Sequence, residues 1–290
     1  MNKVNILKIE QFHDHDATED FYANTLQNHL QTRHKDIALP HKHNFYLAVL
    51  FTKGKGVHEV DFSSYEVKPG ALFFLNPGQT HHWELSADTE GYIFFHTQAF
   101  YDLHYTNSKL SSFPFYYSVY NSPCIYMNNV KTERIQSLFA ILLSEYTNQK
   151  MLGREFLTSM ADLIYIESTR AYVLQNQSSV NNNDKYYEKF RKFEELLEQH
   201  YTDEKSPSAY AAMLNMTSKH LNRIAQAVIG KTASDVILER VMLEAKKQIL
   251  LQRHYFSEIA EHLGYEDYAY FSKLFTKKTG ATPSDFLKRY

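Results

Sequence analysis

The sequence predicts an α+β protein of two domains: an N-terminal β-barrel with a helical pair, then an all-α domain of two helix-turn-helix units. Three observations predict it. Residues 37–127 are rich in Tyr, Phe and Val and are punctuated by "KGKG", "KPG" and "NPGQ", the texture of short antiparallel strands. Residues 132–174 change to helical periodicity. The last hundred or so residues spell one phrase twice, "GKTASDVI" at 230–237 and "GATPSDFL" at 280–287.

The bulk numbers agree with this division. A chain of 290 residues with 43% hydrophobic content has enough apolar surface for two cores. No apolar run approaches the ~18 residues of a membrane span. The opening "MNKVNILKIEQFHD" lacks the apolar stretch and cleavage site of a signal peptide, so a cytoplasmic protein without a membrane partner is expected. Cys124 is the single cysteine, which excludes an internal disulfide and any C-x-x-C metal site. From Lys185 onward 17 Lys and Arg face 14 Asp and Glu, while the first 184 residues carry a balance of −5. That asymmetry permits nucleic-acid contact by the C-terminal part.

In the helical pair, Ile135, Leu138, Phe139, Leu142 and Tyr146 make one stripe. Leu157, Ala161, Ile164 and Ala171 make another, with "NQKMLGR" between the two helices. Phe156, Met160 and Leu163 add a second apolar face. It serves either packing on the sheet or assembly into a homodimer. The first domain therefore runs over 1–175, and "NQSSVNNNDK" at 176–185 reads as a linker.

Everything from 186 to 290 reads as helix. Tyr186, Phe190, Phe193 and Leu197 mark one helix face. Ser206 and Pro207 open the next helix, and a long helix spans about Thr232 to Leu251. Gly230 and Gly280 fit left-handed helix ends. Thr232-x-x-Asp235 and Thr282-x-x-Asp285 fit new starts, with Pro283 in a first turn. Aligned on their glycines, the copies match Leu221 with Phe271 and "AAML" at 211–214 with "AEHL" at 260–263. Each unit is a short helix, a tight turn carrying Asn or Gly, and a second helix of the kind that enters the major groove.

That second helix exposes Ser218, Lys219, Asn222 and Arg223 in the first copy and Tyr268, Ala269, Ser272 and Lys273 in the second. Arginine can pair with guanine, asparagine with adenine, and small residues can meet a thymine methyl. Lys277 and Lys278, near a helix end, suit phosphate. With Arg223 and Asn222 on one groove segment and Ser272 and Lys273 on the next, the first helix is expected to dominate specificity.

The stretch 240–290 resembles the signature of the AraC/XylS family of bacterial transcription regulators, through "EIA", "LGY", "YFSKLFTKKTG" and "TPSDF" in order. "LNMTSKHLNR" resembles the family's first recognition helix. Tyr268-Ala269 stands where proline and a small polar residue are common, and Lys273 where arginine is frequent, which bears on base preference. The resemblance implies a promoter-binding regulator that contacts double-stranded DNA and RNA polymerase, usually as an activator. It implies no catalysis and no cofactor.

"PHKHNFYLAVLF" and "VKPGALFFLNPGQTHHW" resemble the cupin barrel, a sensor domain in many such regulators. His41 and His43 alternate to one strand face, and a turn brings His81 toward them. Three imidazoles could hold a divalent metal, the basis of a rival reading as a metal-dependent cupin enzyme with an appended helical domain. Against it, no carboxylate stands between Asn44 and Lys53, where such cupins place glutamate. The expectation is no metal. His41, His43 and His81 either are polar strand residues near the barrel mouth or contact a small-molecule effector there. Tyr46, Trp83, Tyr92 and Phe94 either stack on that effector, as a sugar or aromatic ligand would allow, or are simply core.

Overall fold

The computed structural model describes residues 5–12, 20–32, 39–102, 110, 113–117, 121–175, 184–252 and 254–289. It divides into two compact units, Met1–Gln177 and Ser178–Tyr290.

The first unit is a pair of stacked sheets with helices on one side. Its strands are β1 Asn5–Leu7, β2 Phe21–Thr25, β3 His41–His43, β4 Tyr46–Lys53, β5 Gly56–Val60, β6 Ser63–Val67, β7 Ala71–Leu75, β8 His81–Leu85, β9 Glu90–His96 and β10 Cys124–Tyr126. Its helices are α1 Leu26–Thr32, α2 Gln98–Asp102, α3 Pro114–Tyr117, α4 Asn129–Asn148 and α5 Gly153–Gln175. One sheet runs β1-β3-β8-β5-β6 and the other β10-β7-β4-β9-β2. All pairs are antiparallel except β1 with β3.

The barrel begins earlier than residue 37, because β1 and β2 each extend a sheet. β2 pairs with β9, so Phe21 lies opposite His96, far away in the chain. Such a long-range partner leaves no local turn signal to read.

The second sheet is buried on both faces. Leu47, Val49, Phe51, Phe73, Leu75, Ile93 and Phe95 point into the barrel, where they meet Trp83 and Val67 of the other sheet. Ala48, Leu50, Leu72, Phe74 and Phe94 point out, under α4 and α5. The predicted stripes supply that cover: Ile135, Phe139 and Leu142 from α4, and Leu157, Ala161, Ile164 and Ala171 from α5. A bidentate Arg154–Asp20 pair (2.6 and 3.1 Å) ties the start of α5 to the residue before β2.

The second unit is all-helical: α6 Asp184–His200, α7 Pro207–Met213, α8 Ser218–Ile229, α9 Ala233–Leu251, α10 Phe256–His262, α11 Tyr268–Thr279 and α12 Pro283–Arg289. Most of the 176–185 linker lies outside the described residues, and its last two positions open α6. Gly230 (φ +69°) and Gly280 (φ +74°) close α8 and α11 in the left-handed conformation, as the repeat predicts. Thr232 and Thr282 each accept a hydrogen bond from the amide three residues on, at 3.1 Å. Ser206, with Pro207 after it, caps α7. The fully buried Leu221, Ile224 and Phe271, Phe275 anchor the two equivalent helices, and Phe190, Phe193 and Leu197 bury the inner face of α6.

Candidate functional site

Two helix-turn-helix units stand in the second unit, α7-turn-α8 and α10-turn-α11, joined by α9. The tight turns follow the predicted residues. Asn215 adopts φ +53° after α7, and Gly264 adopts φ +75° after α10. At 19 residues α9 is about 28 Å long.

The outer face of α8 carries Ser218, Lys219, Asn222 and Arg223, all exposed. Two of these are already engaged. The Asn222 Oδ1 accepts the Ala233 amide at 3.1 Å, so this side chain caps the start of α9. Only its amide hydrogens remain for a partner, and the bidentate reading of adenine needs both ends. Arg223 turns back along α8, with a guanidinium nitrogen 2.7 Å from His220 Nδ1 and its carbon 5.9 Å from the Tyr186 ring centre.

On α11, Tyr268, Ala269 and Lys273 are exposed and Ser272 is half-buried. Asp267 caps the helix through the amides of Ala269 and Tyr270. Tyr270, passed over in the sequence, is 58% exposed one residue from this face. Lys277 is exposed. Lys278 instead donates to Asp235 at 2.9 Å and so links α11 to the first turn of α9. The pair, with the Thr232 hydroxyl, holds the Asp235 carboxyl below its usual range; the hydroxyl is the larger cause.

In the first unit the predicted effector residues separate into two groups. His41, His43, His81 and Trp83 converge inside the barrel, all buried. The rings of His41 and His43 lie 4.3 and 5.0 Å from that of His81. They are therefore interior groups and not residues of an open mouth. Tyr46, Tyr92 and Phe94 lie on the opposite face of the second sheet, beneath the helices. Tyr46 donates to Gln98 at 2.6 Å, and Phe94 packs 5.3 Å from Phe139. Alternation fixes which residues share a face but not which face looks inward, and here both are apolar.

The sequence reading missed His58. The β5–β8 register sets it opposite Trp83, so its Nε2 lies 3.0 Å from His81 Nδ1. The signal was the alternation in "GVHEV", which puts His58 and Val60 on the buried face. Backbone carbonyls fix two tautomers in this group. His41 Nδ1–H donates to Leu39 O at 2.9 Å and His43 Nδ1–H to Phe45 O at 2.8 Å, so each ring turns a bare Nε2 inward. Burial holds His43 down to about 3. His58 is also held well below its ordinary value, chiefly by burial. In neutral rings the Nε2 atoms of His41 and His43 are therefore acceptors, while in the His58–His81 contact one ring must donate to the other. Among the described residues no three His, Cys, Asp or Glu side chains are placed to hold a metal ion.

A two-sheet barrel and a double helix-turn-helix thus stand in one chain. An AraC-like ligand-binding domain matches residues 31–150 and a helix-turn-helix domain matches 210–289. Between them they take in most of the chain, which belongs to the AraC family of transcriptional regulators. Relatives include an uncharacterized HTH-type transcriptional regulator, YfiF, of Bacillus subtilis, 21% identical over 93% of this chain and 83% of that protein. The arabinose operon regulatory protein of Escherichia coli is 20% identical over 83% of this chain and 80% of that protein. Among solved structures, ToxT of Vibrio cholerae aligns over 92% of this chain and 98% of its own, with 14% identity and a TM-score of 0.43. The chain is an effector-responsive DNA-binding regulator of transcription, and no described helix is long and apolar enough to cross a membrane.

Proposed function

We propose that the protein is a cytoplasmic, non-enzymatic homodimer that activates transcription by seating α8 and α11 in successive major-groove segments of promoter DNA. The observation that carries this reading is the pair of equivalent helices, α8 and α11, each entered through a tight turn and each with an exposed polar face. Ser218 and Lys219 face one segment; Tyr268, Ala269, Ser272 and Lys273 face the next, with Lys277 on the backbone. RNA polymerase is the partner through which a bound activator of this kind acts. Binding-site selection with the full chain should return two conserved blocks about 10 base pairs apart. Affinity for the selected duplex should fall steeply with salt as phosphate contacts release counterions. A single block, or binding indifferent to salt, would reject the reading.

The effector belongs in the barrel, against the inward Nε2 atoms of His41 and His43. These acceptors suit a ligand that presents hydroxyl or N–H donors.

Dimerisation is assigned to α5. Phe156, Leu163, Ile166 and Val173 remain 37–40% exposed, and their spacings of seven, three and seven follow a coiled-coil seam. Leu163→Glu and Phe156→Glu should each give folded monomers in analytical ultracentrifugation. Dimers that persist in both variants would move the interface elsewhere.

A further inference from the structure

The first recognition helix does not stand alone. Lys189, on α6, places its Nζ 3.3 Å from His220 Nε2, while Arg223 approaches His220 Nδ1 at 2.7 Å. Tyr186 stands beside both, its ring edge-on to His220 at 5.8 Å and 5.9 Å from the Arg223 guanidinium carbon.

This arrangement holds more donors than it can satisfy. A neutral imidazole offers one bare nitrogen, and a charged one offers none. Lysine and arginine only donate, so two cations here compete for one acceptor. No acid relieves them: among the described residues neither Lys189 nor Arg223 has a carboxylate partner. The neighbouring acids of α6 are engaged elsewhere, Glu188 with Lys192 at 3.4 Å and Glu195 with Arg191 at 3.7 Å. Burial, and then the charges of Lys189 and Arg223, lower the proton affinity of His220. The group also sits on the first turns of the 12-residue α8, whose amino end adds positive potential.

A cluster of surplus donors on the DNA-facing helix calls for an anion with several acceptor oxygens. We propose that Lys189, His220 and Arg223 form a phosphate-binding site that brings α6 onto the DNA backbone and makes Arg223 a backbone contact, not a base reader. α6 lies outside the matched helix-turn-helix region at 210–289. The footprint of the domain is therefore wider than the two recognition helices. With Asn222 capping α9 and Arg223 on phosphate, Lys219 and the exposed Gln226 are left as long side chains of α8 that can reach a base edge.

The inference rests on the DNA-binding function of the family, and its test separates the two. The full chain is measured on a selected duplex and on a scrambled duplex of equal length, across 50–200 mM salt. Wild type that binds neither duplex would remove the underlying reading and this inference with it. If wild type binds, Lys189→Gln should weaken both duplexes by the same factor. The double variant Lys189→Gln/Arg223→Gln should flatten the logarithmic salt slope by about 0.9 for each phosphate no longer neutralised. That is about a threefold smaller drop in affinity over this range. Lys192→Gln on the same helix should leave the slope unchanged. Arg223→Lys, which keeps the charge, should retain it. An unchanged slope in the double variant would overturn the site. So would a changed ratio of selected to scrambled binding in Arg223→Gln, which would mark Arg223 as a base reader.

Discussion

Gly264→Ala should destabilise the helical unit by about 3 kcal/mol or more and abolish binding to a two-block DNA site. Two costs combine. At φ +75° an alanine pays about 1–2 kcal/mol for the left-handed conformation. Its Cβ would also stand 2.1 Å from the Thr202 carbonyl oxygen, so backbone must shift. Thr202 lies in the turn after α6, and Lys205 bridges the same place by donating to its carbonyl at 2.7 Å. The turn of the second helix-turn-helix is thus pressed against the segment leading into the first. Movement there changes how α11 stands relative to α8. The controls are close at hand. Gly230→Ala meets nothing within 4 Å and carries only the conformational cost. Asn215→Gly, at the equivalent turn, should change stability by a few tenths of a kcal/mol, since Gly accepts φ +53° freely. Helical circular dichroism during urea unfolding ranks the three variants. If Gly264→Ala falls within about 1 kcal/mol of Gly230→Ala, the close contact is not what fixes this turn.

These turns were legible in the sequence because their causes are local. A left-handed glycine, a threonine three residues before an acid and a proline in a first turn act within one helical turn of themselves. The apolar stripes of α4, α5 and α6 were legible for a related reason, since a 3.6-residue period names its own buried face. What escaped depends on partners distant in the chain. β2 is a strand because β9 is there to receive it. His58 joins His81 only through the β5–β8 register, with no spacing motif to announce it. Tyr46, Tyr92 and Phe94 were grouped with the histidines because a sheet covered on both sides alternates apolar with apolar. On the outer faces of α8 and α11, exposure was legible for most positions, but exposure is not availability. Asn222 and Lys278 are drawn to Ala233 and Asp235, both in the first turn of α9. Arg223 is drawn to α6, which a reading of the repeat alone does not place beside α8.

Acid should unfold the barrel unit before the helical unit. Four of its buried rings act in this direction, His41, His58, His43 at about 3 and His96 at about 4, in each case chiefly because burial opposes the charged form. In the unfolded chain each would titrate near 6.5. Because the folded values are depressed, the stability these rings contribute is fully present above pH 6.5. It is lost as pH falls, since the unfolded state takes up the protons first. His43 and His96 then each remove about 1.4 kcal/mol per pH unit, or about 3 kcal/mol between pH 6.5 and 4. The loss levels off for His96 near 4 and for His43 near 3. His96 is the better one to test, because its role is defined on both nitrogens. Nδ1–H donates to Thr97 O at 2.8 Å, so Nε2 accepts the Tyr165 hydroxyl at 2.7 Å. Protonation would reverse that second bond, with Nε2–H donating to the hydroxyl oxygen, and leave a buried charge between β9 and α5. His96→Gln should therefore lower stability at neutral pH, by roughly 1 kcal/mol for the altered hydrogen bond. It should also flatten the dependence on pH between 6.5 and 4 by about 1.4 kcal/mol per unit. Trp83, the only tryptophan of the chain, is fully buried in the barrel, so its fluorescence follows this unit while helical dichroism follows both. Carboxylates titrate in the same range in both proteins and cancel in the comparison. A slope unchanged by His96→Gln would mean that this ring is already protonated in the folded barrel, and that Tyr165 does not donate to it.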